Sequence, residues 1–312
     1  MPRIVDIHSH LWAEDWFSET YWDAFVDIAV RQNEKRGKTV DPERIRESYL
    51  PSYWDPTGED MLQRMDEAGV DHQNVFGVDF GLALGEPEVS IQEVNRIVAE
   101  FRDDNADRIT AFATIDPRRA GAADHIETCF TDLDMDGLKL HPTAGFYHHD
   151  KETYRLFELA KQYDKPVLTD TGPVFAPLYS KYSHPENLDE VLSDFPNLDI
   201  VAAHMSFEWW PQLHAVARSK INANLHIDIS GWQERCKDDP EEFATAVRKL
   251  MDAVGSDRMH FGTDDPAFDP VHSKEEWIDN VKALADRETE PTFTEDEIEQ
   301  LLGKNSDRLL GL

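Results

Sequence analysis

The chain has 312 residues, of which 40% are hydrophobic, and no apolar run reaches the roughly 20 residues that a membrane-spanning helix needs. Its 63 acidic residues against 31 basic ones leave a formal net charge of −32, which disfavours nucleic acid and anionic membranes as partners. We expect a cytoplasmic protein adapted to high salt, since the N-terminus carries no apolar signal region and dense negative charge keeps proteins soluble in salt. Cys129 and Cys236, far apart in sequence, are expected to be reduced thiols.

The first predicted element is a strand over residues 4–10, and it ends in His8-Ser9-His10. Because side chains alternate along a strand, His8 and His10 point to the same face, and both imidazoles can reach one point past the strand's end. Neutral imidazole is the commonest metal ligand, so the pair favours a divalent metal site. A single His-X-His pair is more often structural, and the interpretation therefore depends on ligands from other strands.

Residues 11–58 separate this strand from the first predicted core helix and contain four of the eight tryptophans. The insertion starts where the strand ends, so it could cover a site there as a lid or form a wall of a substrate pocket. The same aromatic residues could instead pack the insertion onto the rest of the domain, or onto a second subunit in a homodimer.

Short apolar runs then recur about every thirty residues, and an amphipathic helical stretch follows each, as over 59–68, 89–102 and 151–162. This rhythm predicts an α/β protein with a single (β/α)₈ TIM barrel over 1–312, whose site lies at the C-terminal ends of the strands. An open doubly wound sheet is the alternative, but no glycine-rich phosphate loop follows any strand. The predicted strands are 4–10, 73–80, 108–115, 137–141, 166–170, 198–204, 225–230 and 259–264.

The fourth strand alternates two leucines with two polar residues. If Leu138 and Leu140 face the surrounding helices, Lys139 and His141 must point into the barrel. A lysine buried there is costly unless it is paired or modified. We expect Lys139 and His141 to bind or orient a substrate.

Ionisable residues also stand at the ends of later strands: Asp170 after the fifth, His204 after the sixth and Asp264 after the eighth. Either aspartate alone could be a helix N-cap, and His204 alone could be structural. Their joint placement indicates a site, because chance seldom puts such groups at several strand ends. Two imidazoles and two carboxylates suit one divalent metal, Zn²⁺ first and Mn²⁺ or Fe²⁺ as alternatives. The predicted metal ligands are His8, His10, Asp170 and Asp264.

These motifs resemble the amidohydrolase superfamily, in particular the amidohydrolase-related branch that contains aminocarboxymuconate-semialdehyde decarboxylase and related hydrolases. The resemblance runs almost end to end, through residues 6–10, 65–71, 137–142, 204, 261–264 and 305–312. It implies that His8 and His10 bind metal, that Asp264 binds metal and shuttles a proton, and that His204 acts on the substrate. The branch usually has a histidine where this chain has Asp170.

The resemblance favours metal-dependent hydrolysis of a small organic substrate, in which Asp264 takes a proton from metal-bound water and His204 polarises a carbonyl. Decarboxylation of an aromatic or unsaturated carboxylate is the alternative, and it needs a cation from among Arg44, Arg46, Arg64 and Lys139. A carboxylated Lys139 would allow two metals, as in some relatives. Asp170 also leaves open a catalytically silent, ligand-binding barrel, unless a loop histidine compensates: His148, His149 or His184.

Overall fold

The computed structural model describes residues 3–269 and 272–312. Eight parallel strands form one sheet, in which each strand pairs with the next along the chain. Backbone hydrogen bonds between β1 and the segment after β8, such as Asp264 N to His8 O at 2.8 Å, bring the ends of the sheet together as a (β/α)₈ barrel. The strands are β1 (Val5–His10), β2 (His72–Phe76), β3 (Ile109–Thr114), β4 (Gly137–Leu140), β5 (Val167–Thr169), β6 (Ile200–Ala202), β7 (Leu225–Asp228) and β8 (Met259–His260).

Helices occupy the connections between the strands, and short 3₁₀ and π turns join several of them. Among the described residues, no helix combines the length and apolarity that crossing a membrane would take. The helices are α1 (Glu19–Lys35), α2 (Pro42–Arg44), α3 (Glu59–Ala68), α4 (Gly81–Leu84), α5 (Ile91–Asp104), α6 (Ala122–Thr131), α7 (Lys151–Gln162), α8 (Asp189–Asp194), α9 (Trp210–Ser219), α10 (Gln233–Asp238), α11 (Pro240–Val254), α12 (Lys274–Lys282), α13 (Glu295–Glu299) and α14 (Asn305–Leu310).

All eight predicted strands are confirmed, but most end earlier than the sequence predicted. The strand predicted over 198–204 ends at Ala202, and the one predicted over 73–80 ends at Phe76. Beyond these points the chain leaves the sheet and turns into the loops that carry polar side chains. The helix predicted over 89–102 begins at Ile91, since the Ser90 side chain caps it by accepting a hydrogen bond from Glu93 N at 3.3 Å.

The core has two layers. The outer layer lies between the strands and helices and buries Leu138 and Leu140 of β4, as predicted. Lys139 points the other way, with Nζ 4.8 Å from the centre of the Phe76 ring inside the barrel. The inner layer is a small apolar cluster below the site, made of Ile7, Phe76, Phe112, Leu168, Val201 and Ala203. Both cysteines, Cys129 and Cys236, are buried and unpaired, as expected.

Strand β1 departs from strict alternation, because its register with β2 shifts between Asp6 and Ser9. A β-bulge of this kind re-aims side chains at the end of a strand. His8 and His10 still share a face, since both rings contact Phe76, with ring centres 5.2 and 4.6 Å apart. Both imidazoles also reach one point, since His8 Nε2 and His10 Nε2 lie 3.5 and 3.1 Å from the same oxygen of Asp264.

Candidate metal centre

The predicted site residues lie together at the C-terminal end of the barrel. All but Lys139 line one cavity of about 950 Å³. Two groups of potential metal ligands occur there, and they share His8. The first group is His8, His10 and Asp264; the second is His8, Asp170 and His204.

His8 is held in one tautomer by the barrel. Its Nδ1 lies 2.9 Å from Asp228 Oδ2, and the ring is 0% exposed. Since the carboxylate can only accept, Nδ1 carries the proton, and the Nε2 lone pair faces the cavity. Burial, reinforced by the positive charge of Lys139, lowers the pKa of His8 to about 4. His8 is therefore the neutral imidazole that metal ligation needs.

The first group combines two imidazoles with one carboxylate. Asp264 Oδ1 lies 3.1 Å from His10 Nε2 and 3.5 Å from His8 Nε2. Burial alone would raise the pKa of Asp264, but the hydrogen bond with His10 and the neighbouring histidines lower it below its usual value. Two imidazole nitrogens and a carboxylate oxygen fit a divalent metal that keeps an open position for substrate or water.

Asp170, the fourth predicted ligand, is paired with a lysine. Lys139 Nζ lies 2.6 Å from Asp170 Oδ1 and 3.1 Å from His8 Nε2. Although burial would raise the pKa of the Asp170 carboxyl, the positive charge of Lys139 holds it well below its usual range. The carboxylate expected to bind metal therefore already has a cation as its partner.

His204 lies on a strained turn after β6. Residues 204–207 all have positive φ, between 45° and 62°, and the first three adopt the left-handed α conformation, which costs roughly 1–2 kcal/mol per residue. The His204 amide donates to Asp228 Oδ1 at 3.0 Å, its ring Nδ1 lies 2.9 Å from Ser230 Oγ, and its Nε2 lies 3.7 Å from Asp170 Oδ1. Burial lowers the pKa of His204, but the close contact with the Asp170 carboxylate and the charges of nearby carboxylates outweigh burial and raise it. Strain of this kind is typical of functional sites.

Apart from Nδ1 of the proposed metal ligand His10, three buried polar atoms of cavity-lining residues have no hydrogen-bond partner among the described residues. They are Trp12 Nε1, His141 Nε2 and Thr143 Oγ1, and all three residues line the cavity. The other nitrogen of His141 lies 3.4 Å from Thr114 Oγ1, which leaves Nε2 directed elsewhere. Because buried polar atoms are nearly always satisfied, these three are candidates to bind the polar groups of a ligand.

The aromatic insertion both packs onto the barrel and forms a wall of the cavity. Tyr21 of α1 is buried, and its ring lies 6.0 Å from Phe80 and 6.3 Å from Phe175 between ring centres. Trp12, at the start of the insertion, lies 6.0 Å from the His10 ring. The wall is thus continuous with the candidate metal ligands, and residues of the insertion both line the cavity and pack in the core.

Of the three arginines proposed to hold a carboxylate, only Arg44 lines the cavity. Arg46 pairs with Glu19 and Asp23, and Arg64 pairs with Asp265 at 3.1 Å.

The three loop histidines have other contacts. His148 Nε2 lies 2.9 Å from Thr169 Oγ1, His149 stacks on Tyr147, and His184 packs against Trp209. None of the three belongs to a candidate metal group in the described part of the chain.

No role was predicted for Asp228 from the sequence, although polar residues alternate along the seventh strand and that signal could have placed it inside the barrel. Trp12 was expected only as one of the aromatic residues of the insertion. Trp12 stands two residues after His10, but an unpartnered indole N–H is visible only in three dimensions.

Comparison with known families gives a match to the family described as amidohydrolase over residues 5–312. No curated protein matches the chain.

Solved structures with the same fold include a 2,6-dihydroxybenzoate decarboxylase complexed with 2,6-dihydroxybenzoate (17% identity, 100% of both chains, TM-score 0.67). Another is 5-carboxyvanillate decarboxylase from Novosphingobium aromaticivorans complexed with manganese (14% identity, 100% of this chain and 96% of that chain, TM-score 0.66). A third is a probable 2-pyrone-4,6-dicarboxylic acid hydrolase from Acinetobacter baumannii (14% identity, 99% of this chain and 100% of that chain, TM-score 0.66). At these identities the likeness shows the fold.

Proposed function

Because the chain belongs to the amidohydrolase family, which matches residues 5–312, we propose that it is a metal-dependent, non-oxidative decarboxylase of a small aromatic or unsaturated carboxylate. Hydrolysis, which the sequence favoured, is not confirmed. The decarboxylase alternative has better support, since solved decarboxylases share the fold over the whole chain.

The observation that carries the proposal is an aromatic-walled cavity directly over the three-ligand group. Trp12 contacts His10 on one side, and Phe80 contacts His141 on the other, with ring centres 6.0 and 5.6 Å apart. Tyr21 adds a buried wall from α1. Flat apolar walls next to polar donors suit a planar ring that carries a carboxylate and a hydroxyl or carbonyl group.

His8, His10 and Asp264 would hold the metal, and Zn²⁺ and Mn²⁺ both suit this donor set. The bound metal would supply a positive charge that holds the carboxylate end of the substrate and stabilises negative charge as carbon dioxide leaves. The manganese in the 5-carboxyvanillate decarboxylase structure agrees with such a role in that protein.

The chain's own residues would orient the substrate and move one proton. The substrate loses its carboxyl group as carbon dioxide and gains a proton at the same carbon. Asp264, which touches both histidine ligands, is assigned to take that proton from water and deliver it to the carbon, and His204 to contact the anionic part of the substrate. His141 and Trp12 would donate hydrogen bonds to its polar substituents. Arg44, which lines the cavity, would hold a second anionic group.

The test is carbon dioxide release from a panel of hydroxybenzoates, including 2,6-dihydroxybenzoate and 5-carboxyvanillate, by protein loaded with Zn²⁺ or Mn²⁺. We expect release from at least one of them. The same preparations are assayed on 2-pyrone-4,6-dicarboxylate for ring-opening hydrolysis. Hydrolysis without carbon dioxide release from any carboxylate would overturn the proposal.

Hydrolysis remains the second candidate function, for a structural reason. A group of two imidazoles and one carboxylate with an open position is also an arrangement that lowers the pKa of bound water towards about 7. The 2-pyrone-4,6-dicarboxylic acid hydrolase shares the fold as well.

A protein that stays metal-free after purification with added zinc and manganese would favour the ligand-binding barrel instead.

Trp12→Phe is expected to raise KM about tenfold with little change in kcat, because it removes one hydrogen bond to the substrate and keeps the aromatic wall. Steady-state kinetics on the best substrate of the panel measures this. Trp54→Phe is the matched control, because its indole N–H is also buried and unpartnered but the residue does not line the cavity. Equal changes in KM for the two variants would contradict a role for Trp12 in binding.

A further inference from the structure

We propose that Lys139 acts as an internal counter-cation that keeps Asp170 from binding the metal, so that the centre holds its ion through three protein ligands instead of four. The inference rests on the metal dependence of the proposed function. It differs from the expectation drawn from the sequence, in which Asp170 was the fourth ligand.

The first step is the position of the Lys139 ammonium group. The residue is 0% exposed, and Nζ has two hydrogen-bond partners among the described residues, Asp170 at 2.6 Å and His8 at 3.1 Å. The Phe76 ring lies against it at 4.8 Å. A buried cation needs such partners, since an unpaired one costs several kcal/mol.

The second step concerns the hydrogen-bond partner that Lys139 loses when a metal binds. His8 Nδ1 faces Asp228, so only the Nε2 lone pair of His8 is available to a metal. A metal that takes this lone pair removes one of the two partners of Lys139. The ammonium group then depends on Asp170 alone. Drawing Asp170 into the coordination shell as well would strand a buried cation next to a second cation, which is strongly unfavourable.

The third step concerns the second group of ligands, His8, Asp170 and His204. The Lys139 ammonium group lies within hydrogen-bond distance of two of its three members. Its positive charge already neutralises the negative charge of Asp170 there. We therefore expect one metal ion per chain, held by His8, His10 and Asp264, and no second ion between Asp170 and His204.

The experiment loads each protein with Co²⁺, whose visible absorption spectrum reports the number and geometry of its ligands. Asp170→Asn should leave the spectrum of the wild-type protein unchanged, whereas Asp264→Asn should change it. Lys139→Met should change the spectrum and tighten Co²⁺ binding at least tenfold in competition with a chromophoric chelator. The double variant Lys139→Met/Asp170→Asn should return to the wild-type spectrum.

Lys220→Met is the matched charge control, because this lysine forms an ion pair with Asp189 and neither residue lines the cavity. It should change neither the spectrum nor the affinity. Circular dichroism checks that each variant is folded, and if Asp170→Asn fails this check, Lys139→Met and the double variant decide the question.

Three results would overturn the inference: a changed spectrum in Asp170→Asn alone, an unchanged spectrum in Lys139→Met, or a wild-type protein that binds two Co²⁺ ions or none. None of these readouts uses catalysis. Absence of carbon dioxide release together with the expected spectra would therefore overturn the proposed function and leave this inference standing.

Discussion

Asp264→Asn is expected to lower kcat by about a thousandfold or more while the protein stays folded. The carboxylate lies within 3.5 Å of both histidine ligands, so its loss removes a metal ligand and the proton carrier together. The backbone should tolerate the change, because Asn is one of the few residues that accept the left-handed φ of 58° found here. The loss should appear whether the reaction is decarboxylation or hydrolysis.

The measurement is kcat on the best substrate together with the metal content from mass spectrometry and the melting temperature. Asp252→Asn is the control. Asp252 pairs with Arg248 away from the cavity, so the substitution removes the same charge without touching the site. Activity within a factor of about ten of wild type, with normal folding, would contradict the assignment of Asp264.

The fold and the orientation of three site residues could be predicted from the sequence, because two periodicities carry most of that information. The βα rhythm of about thirty residues locates the strands from the second onward, and alternation along β1 and β4 correctly orients His8, His10 and Lys139. Parallel strands in a barrel end at the same face, so residues at strand ends had to converge.

The sequence did not reveal which side chains from neighbouring strands contact one another. Lys139 lies on β4 and Asp170 directly follows the neighbouring strand β5, but Lys139 is aligned with Leu168. The salt bridge therefore forms only because the long lysine side chain extends up the barrel. The left-handed turn at His204 is likewise set by tertiary contacts, among them the hydrogen bond from Trp232 Nε1 to His204 O at 2.6 Å. Local propensity alone would not choose that conformation.

Asp228 couples the proposed metal ligand His8 to the strained turn at His204. One carboxylate accepts from His8 Nδ1, from the backbone amides of His204 and Ser230, and from the Ser230 hydroxyl. Burial would raise the pKa of Asp228, but its histidine and serine partners hold it below the usual range, so the group is an anion. It therefore fixes the tautomer of a metal ligand and the strained turn of His204 at the same time.

Asp228→Asn should weaken metal binding about 10–100-fold and reduce the free energy of unfolding by about 3 kcal/mol. The amide nitrogen is a donor, so it cannot replace an oxygen that accepts from His8 or from the backbone, and the His8 tautomer is no longer fixed. Chelator competition and chemical denaturation, each with and without metal, measure the two effects. Asp199→Asn is the matched control, because Asp199 contacts His226 at 3.4 Å and belongs to neither ligand group. Equal losses of metal affinity in both variants would contradict the coupling, because of these two aspartates only Asp228 contacts a proposed metal ligand.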